Sequence, residues 1–305
     1  MSNPNPSNPV LLFVHGGPGM TGYFLNDEYP TGLEDDFTVV WWDQRGTGLS
    51  YSSDIPPATM TVAQFVDDTI AVTNALRDRF KVDKIYLLGH SWGSFIGIQA
   101  VAKAPQLYHA YIGMGQVTYQ LESERRSYDY MAETARERGN SELVTKLQAA
   151  PFKMTVPLPG DYANLRDEAM HTLGVGTTHR MTSVISGLFW PSSRSHDYTV
   201  QEKINIWRGK AFSASTGLSN EMLSTDLTKQ VTKLDVPVYF FHGAYDYTVS
   251  RPMAKAYLDQ LVAPVKGFYT FDNSAHSPAY EEPDKARQIL REDVMAGRTT
   301  LADAP

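Results

Sequence analysis

Six short apolar runs punctuate the chain, and each stops at a glycine or a polar turn. They are VLLFV at 10–14, FTVVWW at 37–42, KIYLLG at 84–89, HAYIGMG at 109–115, VPVYFFHG at 236–243 and KGFYTF at 266–271. Continuous apolar runs of this length, bounded in this way, predict strands buried on both faces of a parallel sheet. Between the second and third, TVAQFVDDTIAVTNALRDRF places Val62, Phe65, Ile70, Val72, Ala75 and Leu76 at helical spacing. After the third, GSFIGIQAVA starts another helix. Strand and helix alternating in this order predict an α/β fold.

From about residue 117 the pattern changes. SERRSYDYMAETARERGN predicts an exposed helix ended by Gly139, SELVTKLQAA a second one with a Ser141 cap, and DYANLRDEAMHTLG and TVQEKINIWRGKAF two more. No strand run of comparable strength recurs before residue 236. The expected organisation is a sheet domain in two segments, 1–116 and 233–305, interrupted by a helical cap over 117–232.

With 305 residues, 42% of them hydrophobic, one large core is within reach. A net charge of -7 offers no broad cationic face, which argues against nucleic acid or anionic lipid as partners. The absence of cysteine excludes disulfides, thiolate metal sites and a cysteine nucleophile. The amino-terminal MSNPNPSNP has neither the basic nor the apolar region of a signal peptide, and no apolar run approaches membrane-spanning length, so a cytoplasmic location is expected.

Two glycine patterns carry the chemistry. Gly17-Pro18-Gly19-Met20-Thr21-Gly22 fits a dinucleotide fingerprint after a strand, and Asp43 ends the next strand near where a ribose-binding acid belongs. Pro18, however, removes an amide from the middle of the phosphate cradle, and YFLNDEYPTGLEDD, with Pro30 and Gly32, cannot form the long helix such a site requires. The second pattern, Gly89-His90-Ser91-Trp92-Gly93, lies between a strand and a helix. A serine on such an elbow is held in strained backbone geometry above the carboxyl edge of the sheet, where it serves as a nucleophile. It needs a base, and the base needs an acid to orient it. Asp246 and His276 follow the fifth and sixth strands in the expected order. Asp272 is a loop cap and Asp235 lies at the wrong end of its strand. His242, His109, His171, His179 and His196 read as polar or packing residues. An oxyanion hole takes one amide from the residue after the nucleophile and one from the loop after an early strand, and Trp92 and Gly17 occupy those places.

Together HGGPG, WWDQRGTGLS, GHSWGS, YFFHGAYDYT and NSAHSP resemble the α/β-hydrolase superfamily and, within it, the proline iminopeptidase-like serine hydrolases. The resemblance spans nearly the whole chain. It implies an α/β-hydrolase sheet with an inserted helical cap, a Ser91, Asp246 and His276 triad, oxyanion donors at Gly17 and Trp92, and no cofactor or metal. His15, Gly16, Pro18, Gly19, Gly89, His90 and Gly93 are supporting motif positions, and Asp43, Gln44 and Arg45 match a segment that organises loops around the site. The chain departs from the family in two ways. Only about nine residues precede the HGGPG strand, so the usual first hairpin is expected to be shortened or absent, or the start lies upstream. His90 replaces the glycine that such peptidases commonly place before the nucleophile, a substitution more usual in esterases and lactonases.

The expected substrate is a short peptide or amide losing an amino-terminal proline or small residue. A carboxylesterase or lactonase is the alternative, and a hydrolase-fold ligand receptor with little turnover is a third. Gln116, just past a strand end, is expected to face the site. Phe152, Phe189, Trp190, Trp207 and Phe212 are candidates for a pocket wall, and Glu122, Glu124 and Glu221 for a carboxylate that holds a substrate ammonium.

Overall fold

The computed structural model describes residues 7–304. Six strands, β1 (Val10–Val14), β2 (Thr38–Trp42), β3 (Ile85–His90), β4 (Tyr108–Met114), β5 (Val238–Gly243) and β6 (Lys266–Phe271), form one sheet in the order β2-β1-β3-β4-β5-β6. Every pairing is parallel. All residues of β1, β3 and β5 are buried, which is why they read as unbroken apolar runs. The order reverses direction between β1 and β3, so the loops leaving those two strands diverge from a common crevice at the carboxyl edge, where open α/β sheets place their sites. No antiparallel strand precedes β1 among the described residues.

The helix at Val62–Phe80 begins at Thr61, whose side chain accepts from the Gln64 amide, and ends at Lys81 with φ 55. Its buried face is Val62, Phe65, Val66, Thr69, Thr73 and Leu76, whereas Ala75 is exposed and Ile70 and Val72 are half-buried. The two threonines are tolerated inside because their hydroxyls bond the Phe65 and Thr69 carbonyls at 2.7 and 2.8 Å.

Between β4 and β5 the chain is a helical insert. Its first helices, Gln120–Glu137, Ser141–Ala149 and Gly160–Leu173, enclose a small core of their own that includes Met131, Leu143, Leu147, Tyr162 and Met170. Gly139, at φ 65, ends the first helix, and the second is capped by Asn140, which accepts from the Leu143 amide, rather than by Ser141. The helix at Val200–Ala214 opens with a capping box between Thr199 and Glu202. A bridge between Tyr119 and Asp226 ties the two ends of the insert together, and beyond it Leu227, Val231 and Leu234 return into the core beneath the sheet. Among the described residues no helix is long and apolar enough to cross a membrane.

Candidate active site

Ser91 sits between β3 and the helix at Trp92–Lys103 with φ 55 and ψ -121, a conformation that a residue bearing a Cβ adopts only under strain. The flanking glycines are dictated by contact. A Cβ at position 89 would meet the Gly93 carbonyl oxygen at 2.4 Å, and one at 93 would meet the Val14 carbonyl oxygen at 1.9 Å. The Ser91 amide is anchored to the Met114 carbonyl at 2.9 Å, which fixes the elbow to β4.

His276 and Asp246 come to the same edge from the loops after β6 and β5. His276 Nδ1 donates to Asp246 Oδ2 at 2.9 Å, and both side chains are buried. Burial pushes the Asp246 carboxyl up, but the adjoining His276, with His242 and the Val249 amide, outweighs it and holds the group below its ordinary value. The opposite ring edge, His276 Nε2, is buried and has no hydrogen-bond partner among the described residues. Ser91 and His276 line one cavity without a hydrogen bond between them, a separation common before substrate binds. The imidazole is backed closely by Gly115, where a Cβ would lie 2.7 Å from Cε1.

Three further buried histidines brace this arrangement, and their tautomers follow from their partners. His90 Nε2 donates to the His276 carbonyl at 2.9 Å, so the residue before Ser91 holds the loop that carries the imidazole. His242 Nε2 accepts from the Gln116 amide at 2.9 Å, which puts its proton on Nδ1, 3.7 Å from Asp246 Oδ2. His15 Nε2 accepts from the Gln44 amide at 3.2 Å, which leaves Nδ1 to donate to the Gly16 carbonyl at 2.8 Å. Burial lowers His15 and His242 to about 4 and His90 to about 3, so all three are neutral in the folded protein. In the unfolded chain they take up protons near pH 6.5. The folded state binds fewer protons below that value, and stability therefore falls as pH falls. The unfolding midpoint is expected to drop steadily from pH 6.5 to pH 4, with a slope of up to about 1.4 kcal/mol per pH unit for each histidine. Scanning calorimetry across that window checks this, and a flat profile contradicts it.

The first loop and the elbow are joined by one side chain. Gln44 Nε2 donates to the His15 carbonyl at 2.8 Å, while Gln44 Oε1 accepts from the Trp92 indole at 2.9 Å. The Gly17 and Trp92 amides are left without hydrogen-bond partners among the described residues. Arg45 forks onto Asp68 of the Val62–Phe80 helix with two bonds of 2.7 Å. Asp43 accepts from the Leu49 amide at 2.9 Å, and burial raises its carboxyl to about 6.

The cavity has two lobes that meet at Gly17, Pro18, Ser91 and Arg166. The smaller, about 180 Å³, is lined by Val117, Gln120, Glu124, Leu158 and Met222. The larger, about 310 Å³, contains His276, Tyr280, Leu25, Leu188 and Lys210. Of the three acidic candidates only Glu124 enters. Its Oε2 accepts from Tyr162 and Arg166 at 2.9 and 2.7 Å, and its Oε1 from Gln120 at 2.9 Å. Burial opposes the Arg166 charge, but Glu124 and then Asp167 hold the guanidinium above its ordinary value. Gln120 Oε1 is buried with no partner among the described residues.

Several expected positions lie elsewhere. Glu122 is tied up by Arg125 and Arg126 on the outer side of its helix, where the hydrogen bond from Arg125, aided by Arg126, lowers it to about 2. Glu221 accepts from the Val62 amide and so serves a helix start. Gln116 is fully buried, but its side chain bonds Tyr111 and the Val117 carbonyl and does not reach the cavity. Phe189 and Trp190 are 40% and 51% exposed, packed edge to face on each other outside. Trp207 turns its N–H to Ser192. Phe152 packs within the small core of the insert, and Phe212 lies against Tyr51. The wall is built instead from Leu, Met and Tyr side chains, and the charged lining residues Arg166 and Lys210 escaped the sequence reading because nothing in their local pattern separates them from surface cations.

The family whose shared feature is the alpha/beta hydrolase fold matches residues 9–283. The chain belongs to that family. Over 280 residues this α/β hydrolase is 36% identical to the probable aminopeptidase YbaC of Bacillus subtilis (strain 168), covering 90% of this chain and 86% of that protein. A proline iminopeptidase of Clostridium botulinum is 27% identical over 92% of this chain and 87% of its own length. Among solved structures, a proline iminopeptidase-related protein of Thermus thermophilus superposes with a TM-score of 0.58 at 23% identity, covering 96% of this chain and 90% of that one. Est816, described as an N-acyl homoserine lactone degrading enzyme, superposes with a TM-score of 0.59 at 18% identity over 93% of each chain. These last two likenesses are likenesses of fold.

Proposed function

We propose that this hydrolase cleaves the bond after an amino-terminal residue of short peptides or amides through an acyl-enzyme on Ser91, with residues 117–232 acting as its cap. The reading rests chiefly on Glu124: a buried carboxylate, beside an unpartnered Gln120 carbonyl, lines the small lobe next to Ser91. An α-ammonium brings three donors and a positive charge, and these two acceptors answer both.

In this mechanism the Ser91 hydroxyl attacks the carbonyl carbon while its proton passes to His276 Nε2, and Asp246 steadies the imidazolium that forms. The oxyanion is received by the Gly17 and Trp92 amides. Breaking the C–N bond requires a proton on the departing nitrogen, and His276 returns it. Because His276 lines only the larger lobe, the leaving group lies there and the acyl residue with its ammonium lies in the smaller one. His276 then deprotonates water, which attacks the acyl-enzyme, and the proton goes back to Ser91. The similarity to the probable aminopeptidase of Bacillus subtilis over nine-tenths of the chain supports the same reading.

An esterase or lactonase reading has one observation in its favour: Arg166 already neutralises Glu124, so the small lobe also tolerates an uncharged acyl group. A panel of prolyl and alanyl arylamides, p-nitrophenyl esters and lactones, with Ser91→Ala as blank, separates the two. Arylamide turnover is expected. Ester or lactone turnover with every amide inert would replace the aminopeptidase by the esterase.

A further inference from the structure

The larger lobe contains a lysine whose charge the protein leaves unanswered. Lys210, half-buried on the Val200–Ala214 helix, lines the lobe that holds His276, and its ammonium lies 5.3 Å from the centre of the Trp207 ring. Among the described residues it has no carboxylate partner. The one carboxylate lining that lobe, Asp167, is engaged by Arg166 at 3.0 Å. Arg166 is in turn bonded to Glu124, so these two charges offset each other at the junction and small lobe, and the larger lobe keeps Asp167, held by Arg166, and Lys210, which no carboxylate answers. The unpaired cation of the cavity therefore lies on the leaving-group side of Ser91.

We infer that Lys210 receives the free carboxylate of the departing fragment, so that the preferred substrates are zwitterionic dipeptides and very short peptides rather than long chains or neutral amides. The inference rests on the aminopeptidase reading, since it needs the leaving group in the His276 lobe. A carboxylate there gains a charge-assisted hydrogen bond, about twice as strong as one between neutral groups. A neutral carboxamide of the same size gains only an ordinary one. A longer peptide carries its carboxylate beyond the reach of Lys210.

The test compares Ala-Gly, Ala-Gly-amide and alanine p-nitroanilide on the purified full chain. Ala-Gly is expected to exceed its amide in kcat/KM by about 10- to 100-fold, the range that a hydrogen bond to a charged group supplies. Lys210→Met, which keeps the apolar stem against Trp207, is expected to bring that ratio to near one. Lys210→Arg is expected to keep most of it, and circular dichroism establishes that both variants are folded. Equal rates on Ala-Gly and its amide, or a ratio that survives Lys210→Met, would overturn the carboxylate role while the anilide still reports an intact aminopeptidase. An inert anilide together with inert peptides would instead remove the aminopeptidase reading and this inference with it.

Discussion

Replacing Ser91 by alanine is expected to lower kcat on every accepted amide or ester by at least about 10⁴-fold, the scale of losing a nucleophile that acts as one unit with its base. The fold should be unaffected, because the elbow is fixed by backbone contacts: the Ser91 amide on Met114 and the tight approaches at Gly89 and Gly93. Alanine keeps the Cβ and so keeps the strain at φ 55. Ser91→Gly should be equally inactive yet more stable by about 1 kcal/mol, since glycine occupies that region without penalty. Turnover assays and chemical unfolding of both variants check the pair. An alanine variant that still turns over removes Ser91 from the mechanism, and a glycine variant no more stable than wild type means the elbow is not strained.

The second large effect concerns Glu124. Glu124→Gln is expected to reduce kcat/KM for substrates with a free α-amine by about 100-fold, the loss of a charge-assisted contact in a dry site. Esters without an amine should change by less than about threefold. Stability responds separately. Glu124 and Arg166 are 4% and 17% exposed, so removing Glu124 leaves the guanidinium only the exposed Asp167 as partner and should cost about 3 kcal/mol in Glu124→Ala, the lower end for a broken buried pair. Replacing both, as Glu124→Leu with Arg166→Met, should recover most of that stability and none of the amine preference. Uniform loss on amine-bearing and amine-free substrates would assign Glu124 to structure alone.

The strands were legible in the sequence because a strand covered on both faces has no polar side and shows as a plain apolar run. The elbow was legible because its glycines are demanded by backbone approach. The inner face of the Val62–Phe80 helix was less so, since Thr69 and Thr73 bury polar atoms that the preceding turn satisfies. The insert defeated pattern reading for a related reason. The buried side of Gln120–Glu137 includes Gln120, Ser123, Glu124 and Ser127, matched to carbonyls and side chains of distant segments such as Thr248 and Tyr247. Polar inside and polar outside look alike along a chain, so Glu122 and Glu124 were indistinguishable until their partners were placed. The bulky aromatics, by contrast, suggested a pocket wall through size alone, and they pack on one another instead.

The insert leaves the sheet after β4 and returns before β5, and these strands are hydrogen-bonded neighbours. The insert is therefore joined covalently at one pair of adjacent points, clasped by the Tyr119 to Asp226 bridge. Exchange of that stretch for another of different length would leave the sheet register and the Ser91 elbow undisturbed, but it would remove the Gly176 carbonyl that accepts from the His276 amide at 3.3 Å and the Val175 carbonyl that accepts from the Tyr247 amide at 3.4 Å, beside Asp246. The nucleophile's half of the site is thus independent of the insert, whereas the acid and the base are held partly by it, and any replacement has to restore those two carbonyl acceptors to keep them in place.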